Sequence, residues 1–156
     1  MLRTGNKRAA LLTLSGDVFK GWLAVWLAMR SSPIFALPEW TIPVAALAVF
    51  AGHLFPVFHR FHGGKGVATA LGILLAINLP LGFGVLFVWL VVFVIWRLSS
   101  LAALAAALFA PLLTIHFFGY GAMALAVATI AVLLIWRHRA NIANLIRGNE
   151  RRIDTR

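Results

Sequence analysis

The sequence has no cysteine, and only four of its 156 residues are acidic: Asp17, Glu39, Glu150 and Asp154. The first absence excludes disulfides and thiolate metal sites. The second removes most carboxylate chemistry. No Asp or Glu stands near the histidines in the sequence to complete a metal site, and none is expected on the cytoplasmic face outside the C-terminal tail to build a serine triad. Charged residues of both signs make up 12% of the chain, about half the share in a soluble domain. Coiled-coil heptads and internal repeats are also missing.

What is there is apolar. Hydrophobic residues reach 62% and the mean hydropathy is +0.95. Runs of roughly 17–25 apolar residues read as membrane-spanning helices, so an integral membrane protein of the all-α class is expected, a polytopic helix bundle of about six spans. They are read at 9–29, 41–55, 67–79, 83–96, 101–118 and 122–136, as one domain over 1–156 with a turn at 78–82 and a short amphipathic helix in the tail. The formal net charge is +10. In a membrane protein this orients helices and meets anionic headgroups rather than nucleic acid. With both termini cytoplasmic, every Lys and Arg except Lys20, inside a span, and Arg30 falls on the inner side. Every polar cluster then faces the cytoplasm.

One polar stretch interrupts the apolar run, from Gly52-His53 to Thr69. Gly63-Gly64-Lys65-Gly66 leads straight into the helix-forming Val67-Ala68-Thr69. Glycines let backbone N–H groups approach a ligand, and a helix N-terminus and a lysine add positive charge. The string is not a Walker A loop, which ends in G-K-[ST], and a loop with one orienting lysine explains it equally well. His53, His59 and His62 lack metal-site spacing and read as polar loop residues, with His53 satisfied near a span end; no metal and no cofactor is expected. Asp17 and Lys20 are three apart on one helical face and read as a neutralising pair. His138 and Asn141 share a face beside Arg137 and Arg139, which by themselves are a topology signal. Ser100 reads as a hydrogen-bond donor to a ligand rather than a nucleophile.

Taken in order, several strings carry a resemblance. They are Leu2-Arg3 with Gly5-Asn6-Lys7, Asp17-x-x-Lys20-Gly21, Gly52-His53-x-Phe55-Pro56-Val57-Phe58, Phe61-x-Gly63-Gly64-Lys65-Gly66-Val67-Ala68-Thr69-Ala70, Ser100-Leu101, Arg137-His138-Arg139-x-Asn141-Ile142 and Gly148-x-Glu150. Together they resemble the bacterial membrane glycerol-3-phosphate acyltransferases that use acyl phosphate as donor. The resemblance implies acyl transfer from acyl phosphate to the 1-hydroxyl of glycerol 3-phosphate, in phospholipid synthesis at the cytoplasmic face of the cell inner membrane. It implies that Arg3, Lys65, Ser100, His138 and Asn141 bind glycerol 3-phosphate, that Gly63, Gly64 and Gly66 cradle phosphate with Lys65, and that Lys65, His138 and Asn141 serve catalysis. The partners implied are the two small substrates and membrane lipid, with a monomer expected. The family carries a seventh span and a Gly-Ser-Gly-Asn-x-Gly-Ala-Thr-Asn string ahead of the arginine matched by Arg3, and usually lysine and arginine where this chain has His62 and Asn144. The expectation is that Met1 is an internal start and that this chain alone has little activity. The alternatives are an anion or phosphate carrier and an inactive paralogue; a carrier would line a polar path outward, and the outer halves of these spans are apolar.

Overall fold

The computed structural model describes residues 7–57, 60–61 and 63–152, with the Lys7 side chain left aside. Arg3, His59 and His62 lie outside the described residues. Those residues form seven helices: α1 Lys7–Ile34, α2 Thr41–Leu54, α3 Val67–Ile77, α4 Leu79–Trp96, α5 Ser99–Phe118, α6 Ala122–Arg137 and α7 Arg139–Ile146. The all-α expectation holds. By length and composition α1, α4 and α5 can each cross a membrane, and α6 with α7 would count as a fourth span if the pair, bent by 59°, is one broken span. The helices α2 and α3 are apolar but shorter, at 14 and 11 residues.

Two boundaries differ from the sequence reading. The expected turn at 78–82 shrinks to one extended residue, Asn78 (φ −162°, ψ 123°). Pro80 follows as the second residue of α4, in the first turn, where its missing N–H has no helical partner to lose. Helix α1 runs through Arg30-Ser31-Ser32-Pro33 to Ile34; a proline near a helix end disturbs mainly what precedes it, and the helix stops one residue later.

The chain forms two compact units, Met1–Leu79 and Pro80–Arg156. In the first, α1 packs most extensively on α3 and also against α2. A Cβ on Gly21 would strike the Thr69 carbonyl, and one on Gly72 would strike the Val18 carbonyl and lie 3.0 Å from the Trp22 nitrogen. Each helix thus gives a glycine to the other's backbone, the kind of close approach that holds helices together where lipid offers no hydrophobic drive. In the second unit α5 packs on α6. The buried surface of α5 is mainly alanine, including Ala102, Ala103, Ala106 and Ala110, and that of α6 includes Val127, Ile130 and Leu134. Large apolar side chains stay exposed on the other faces, among them Leu12, Phe87 and Leu125, as befits an integral membrane protein whose outer surface meets lipid.

Candidate functional site

The expected site residues divide between the two units, and each group is built by its own local structure. In the first unit Pro56 follows the end of α2, and the chain returns as the glycine loop to start α3. The loop lies on the last turns of α2, and each of its three glycines has a different floor. A Cβ on Gly63 would strike the carbonyl oxygens of His53 and Leu54; one on Gly64 would strike the Nε2 edge of the His53 ring; one on Gly66 would strike the Phe50 ring. Gly66 also has φ +86° as the N-cap of α3 and supplies no side-chain cap, so its backbone needs glycine in any case. Packing therefore supplies a second reason for the glycines, beside ligand approach. Lys65 is exposed.

At the His53 ring beneath this loop, three polar side chains meet. Lys20 Nζ donates to Asp17 Oδ1 at 2.5 Å and lies 2.6 Å from His53 Nδ1. The neutralising pair is present as read from the i, i+3 spacing, and His53 is satisfied near its helix end. Its partner, 33 residues back, was not anticipated.

In the second unit Arg97 takes a left-handed conformation (φ 58°) and ends α4. Leu98 is extended, and α5 begins at Ser99. Ser100, in the first turn of α5, is 5% exposed, and its Oγ donates to Glu150 Oε1 at 2.7 Å. Asn141 Nδ2, from α7, donates to the same oxygen at 2.6 Å. Glu150 reaches this point through the end of α7. Gly148 has φ +69°, Gly148 N–H bonds the Leu145 carbonyl at 3.1 Å and Asn149 N–H bonds the Asn144 carbonyl at 2.8 Å. This is a Schellman turn closed by a left-handed glycine. It folds the tail back so that a carboxylate meets the positive N-terminal end of α5.

His138 is the hinge residue between α6 and α7 and is 2% exposed. Its Nδ1 lies 2.8 Å from the Leu134 carbonyl oxygen. A carbonyl only accepts, so Nδ1 carries a proton, and in the neutral ring Nε2 is left as an acceptor. Arg137 and Arg139 lie over the Trp136 ring, 5.8 and 4.9 Å from its centroid, which anchors this end of α6.

Ser100, Asn141 and His138 therefore belong to one unit, with Ser100 and Asn141 meeting on one oxygen, while Gly63, Gly64, Lys65 and Gly66 belong to the other. Glu150 had been given no role. The available signal is one of the two carboxylates in a basic tail, two residues after a glycine. Among the described residues no group of three His, Asp or Glu side chains could hold a metal ion.

Comparison with known proteins gives one answer. The family profile described as "Glycerol-3-phosphate acyltransferase" matches residues 1–148. The chain is 59% identical over 153 residues to the glycerol-3-phosphate acyltransferase of Paraburkholderia phymatum, covering 98% of this chain and 73% of that protein. It is 60% identical to that of Cupriavidus taiwanensis, covering 98% and 76%. It also superposes on a crystal structure of PlsY (YgiH), "an integral membrane glycerol 3-phosphate acyltransferase", in its glycerol 3-phosphate form. The TM-score is 0.91 at 35% identity, over 98% of this chain and 75% of that one. The lysophosphatidic acid form of the same enzyme gives a TM-score of 0.90.

Proposed function

Because this chain belongs to the glycerol-3-phosphate acyltransferase family, we propose that it acylates the 1-hydroxyl of glycerol 3-phosphate with a fatty acyl group from acyl phosphate. The hydroxyl oxygen attacks the acyl carbonyl, the bond to phosphate breaks, and lysophosphatidic acid and inorganic phosphate leave. The hydroxyl proton goes to a substrate phosphate oxygen. The related enzyme whose structures hold glycerol 3-phosphate and lysophosphatidic acid supports the acceptor and the product; the acyl phosphate donor rests on the sequence resemblance.

The observation that carries the reading is the convergence of Ser100 Oγ and Asn141 Nδ2 on one carboxylate oxygen at the start of α5. Two donors and a helix N-terminus suit an oxyanion, and phosphate is the anion that both substrates carry. In this reading Arg3, Lys65, Ser100, His138 and Asn141 bind glycerol 3-phosphate, and Gly63, Gly64 and Gly66 with Lys65 hold phosphate at the start of α3. Lys65, His138 and Asn141 act by positioning and by charge, which together supply much of a rate without a carboxylate base. With Nδ1–H given to the Leu134 carbonyl, Nε2 of a neutral His138 ring is the acceptor side, suited to a hydrogen bond from a substrate hydroxyl. The reaction takes place at the cytoplasmic face of the bacterial inner membrane, in a single acyltransferase domain that crosses the membrane about six times and works as a monomer, without a cofactor.

The test is incubation of membranes containing the chain with acyl phosphate and labelled glycerol 3-phosphate. Labelled lysophosphatidic acid, formed slowly by a chain expected to have little activity alone and lost in Lys65→Ala, is the expected result. Label crossing sealed vesicles without acylation would favour an anion carrier, and neither outcome would favour an inactive paralogue.

A further inference from the structure

Asp17, Lys20 and His53 play no part in the acyl-transfer reading, yet His53 lies directly under its glycine loop and the other two meet its ring. Asp17 and Lys20 share one face of α1, and His53 comes from the last turn of α2. A charge inside a span calls for a countercharge, and Asp17 supplies that for Lys20. Neutralisation needs two members. It does not account for the third, whose side chain is only 11% exposed.

The geometry fixes the state of that third member. An ammonium group has only donors. The His53 Nδ1, 2.6 Å from Lys20 Nζ, is therefore the acceptor, which puts the ring proton on Nε2. The opposite arrangement would have Nδ1–H donate to Asp17 Oδ1, but that separation is 3.5 Å, too long for a good hydrogen bond. The Nε2 edge of the ring is the edge that abuts Gly64, and the backbone carbonyl of the same histidine abuts Gly63. Moving the ring moves the loop.

We infer that Asp17, Lys20 and His53 are positioning residues for the glycine loop. Lys20, balanced by Asp17, holds His53 as its neutral Nε2–H tautomer, and the ring so held sets Gly63, Gly64 and the start of Lys65 for a substrate phosphate. The inference rests on the acyl-transfer reading for what the loop holds, but not for the arrangement beneath it.

The test uses the whole chain in detergent micelles, labelled with nitrogen-15 at histidine and glycine. The wild-type His53 should show an unprotonated Nδ1 and a protonated Nε2. Lys20→Met should turn this into a mixture of tautomers and shift the Gly63 and Gly64 amides, leaving that of Gly148 in place. An uncompensated Asp17 could unfold this variant, so Asp17→Asn/Lys20→Met, which removes both charges, is run beside it. In acyl transfer the same variants should lose roughly 10- to 100-fold in kcat/KM, mainly through the KM for glycerol 3-phosphate, and Lys20→Arg should recover part of it. Unchanged His53 and loop resonances in a folded variant, or a lowered Tm with wild-type KM and kcat, would overturn the inference. Absence of acyl transfer by the wild type would instead overturn the functional reading, and the resonances would still decide the positioning role.

Discussion

Asn141 and Glu150 are nine residues apart in sequence, and their side chains meet at 2.6 Å across the Schellman turn that ends α7. Ser100 joins them from α5 at 2.7 Å. One carboxylate oxygen thus ties the C-terminal tail to two residues expected to hold substrate.

Glu150→Ala removes that tie and leaves two part-buried donors to find other partners, a cost of about 1–3 kcal/mol per group left unsatisfied. Glu150→Gln keeps an accepting oxygen and loses the charge. The expected order of apparent Tm in detergent is wild type, then Gln, then Ala. Equal Tm values for wild type and Glu150→Ala would show that the tie contributes nothing.

Gly64→Ala should weaken the enzyme through its loop. The added methyl meets the His53 ring edge, so either the ring or the loop must move. A fall in kcat/KM of about 10-fold or more is expected. Gly52→Ala, on the same helix as His53 but with open space around its Cβ position, is the matched control and should retain wild-type kinetics.

Gly72→Ala should be worse for folding than for chemistry. Its methyl would enter the backbone of α1 at Val18 and Trp22, and overpacking of this kind costs about 1–3 kcal/mol. The measurement is thermal unfolding in detergent, with Gly21→Ala expected to behave alike because it meets the Thr69 backbone.

Gly16→Ala should do the reverse. Nothing lies near its Cβ position, and replacing a mid-helix glycine by alanine favours the helix by roughly 0.5–1 kcal/mol. A small rise in Tm at unchanged activity is expected; a fall would mean that this face of α1 is in contact with something.

Much of this was legible in local pattern. Apolar run length placed α2, α5 and α6 within two residues of their ends, since hydrophobic runs and Pro or Gly breaks are properties of neighbouring residues. The Asp17–Lys20 pair followed from helical spacing alone. The turn at 78–82 shrinks to Asn78, because Pro80 and Gly82, turn formers by local chemistry, are both tolerated at the start of a helix. Lys20 with His53, and Ser100 with Glu150, were not legible. Their sequence separations of 33 and 50 residues depend on how helices stack, which no periodicity reports. The floor under each loop glycine was hidden for the same reason: the loop sequence signals flexibility and anion approach, while the collision partners belong to another helix.

The two glycine notches between α1 and α3 amount to a keyed joint. Gly21 receives the backbone of α3 at Thr69, and Gly72 receives the backbone of α1 at Val18 and Trp22, so neither helix can slide or turn by one residue without driving a side chain into a main chain. Lys20 stands next to one notch, and Thr69 lies three residues past Gly66. The joint is therefore a ruler: it sets the distance from the charged pair on α1 to the head of α3, and it does so before any substrate arrives.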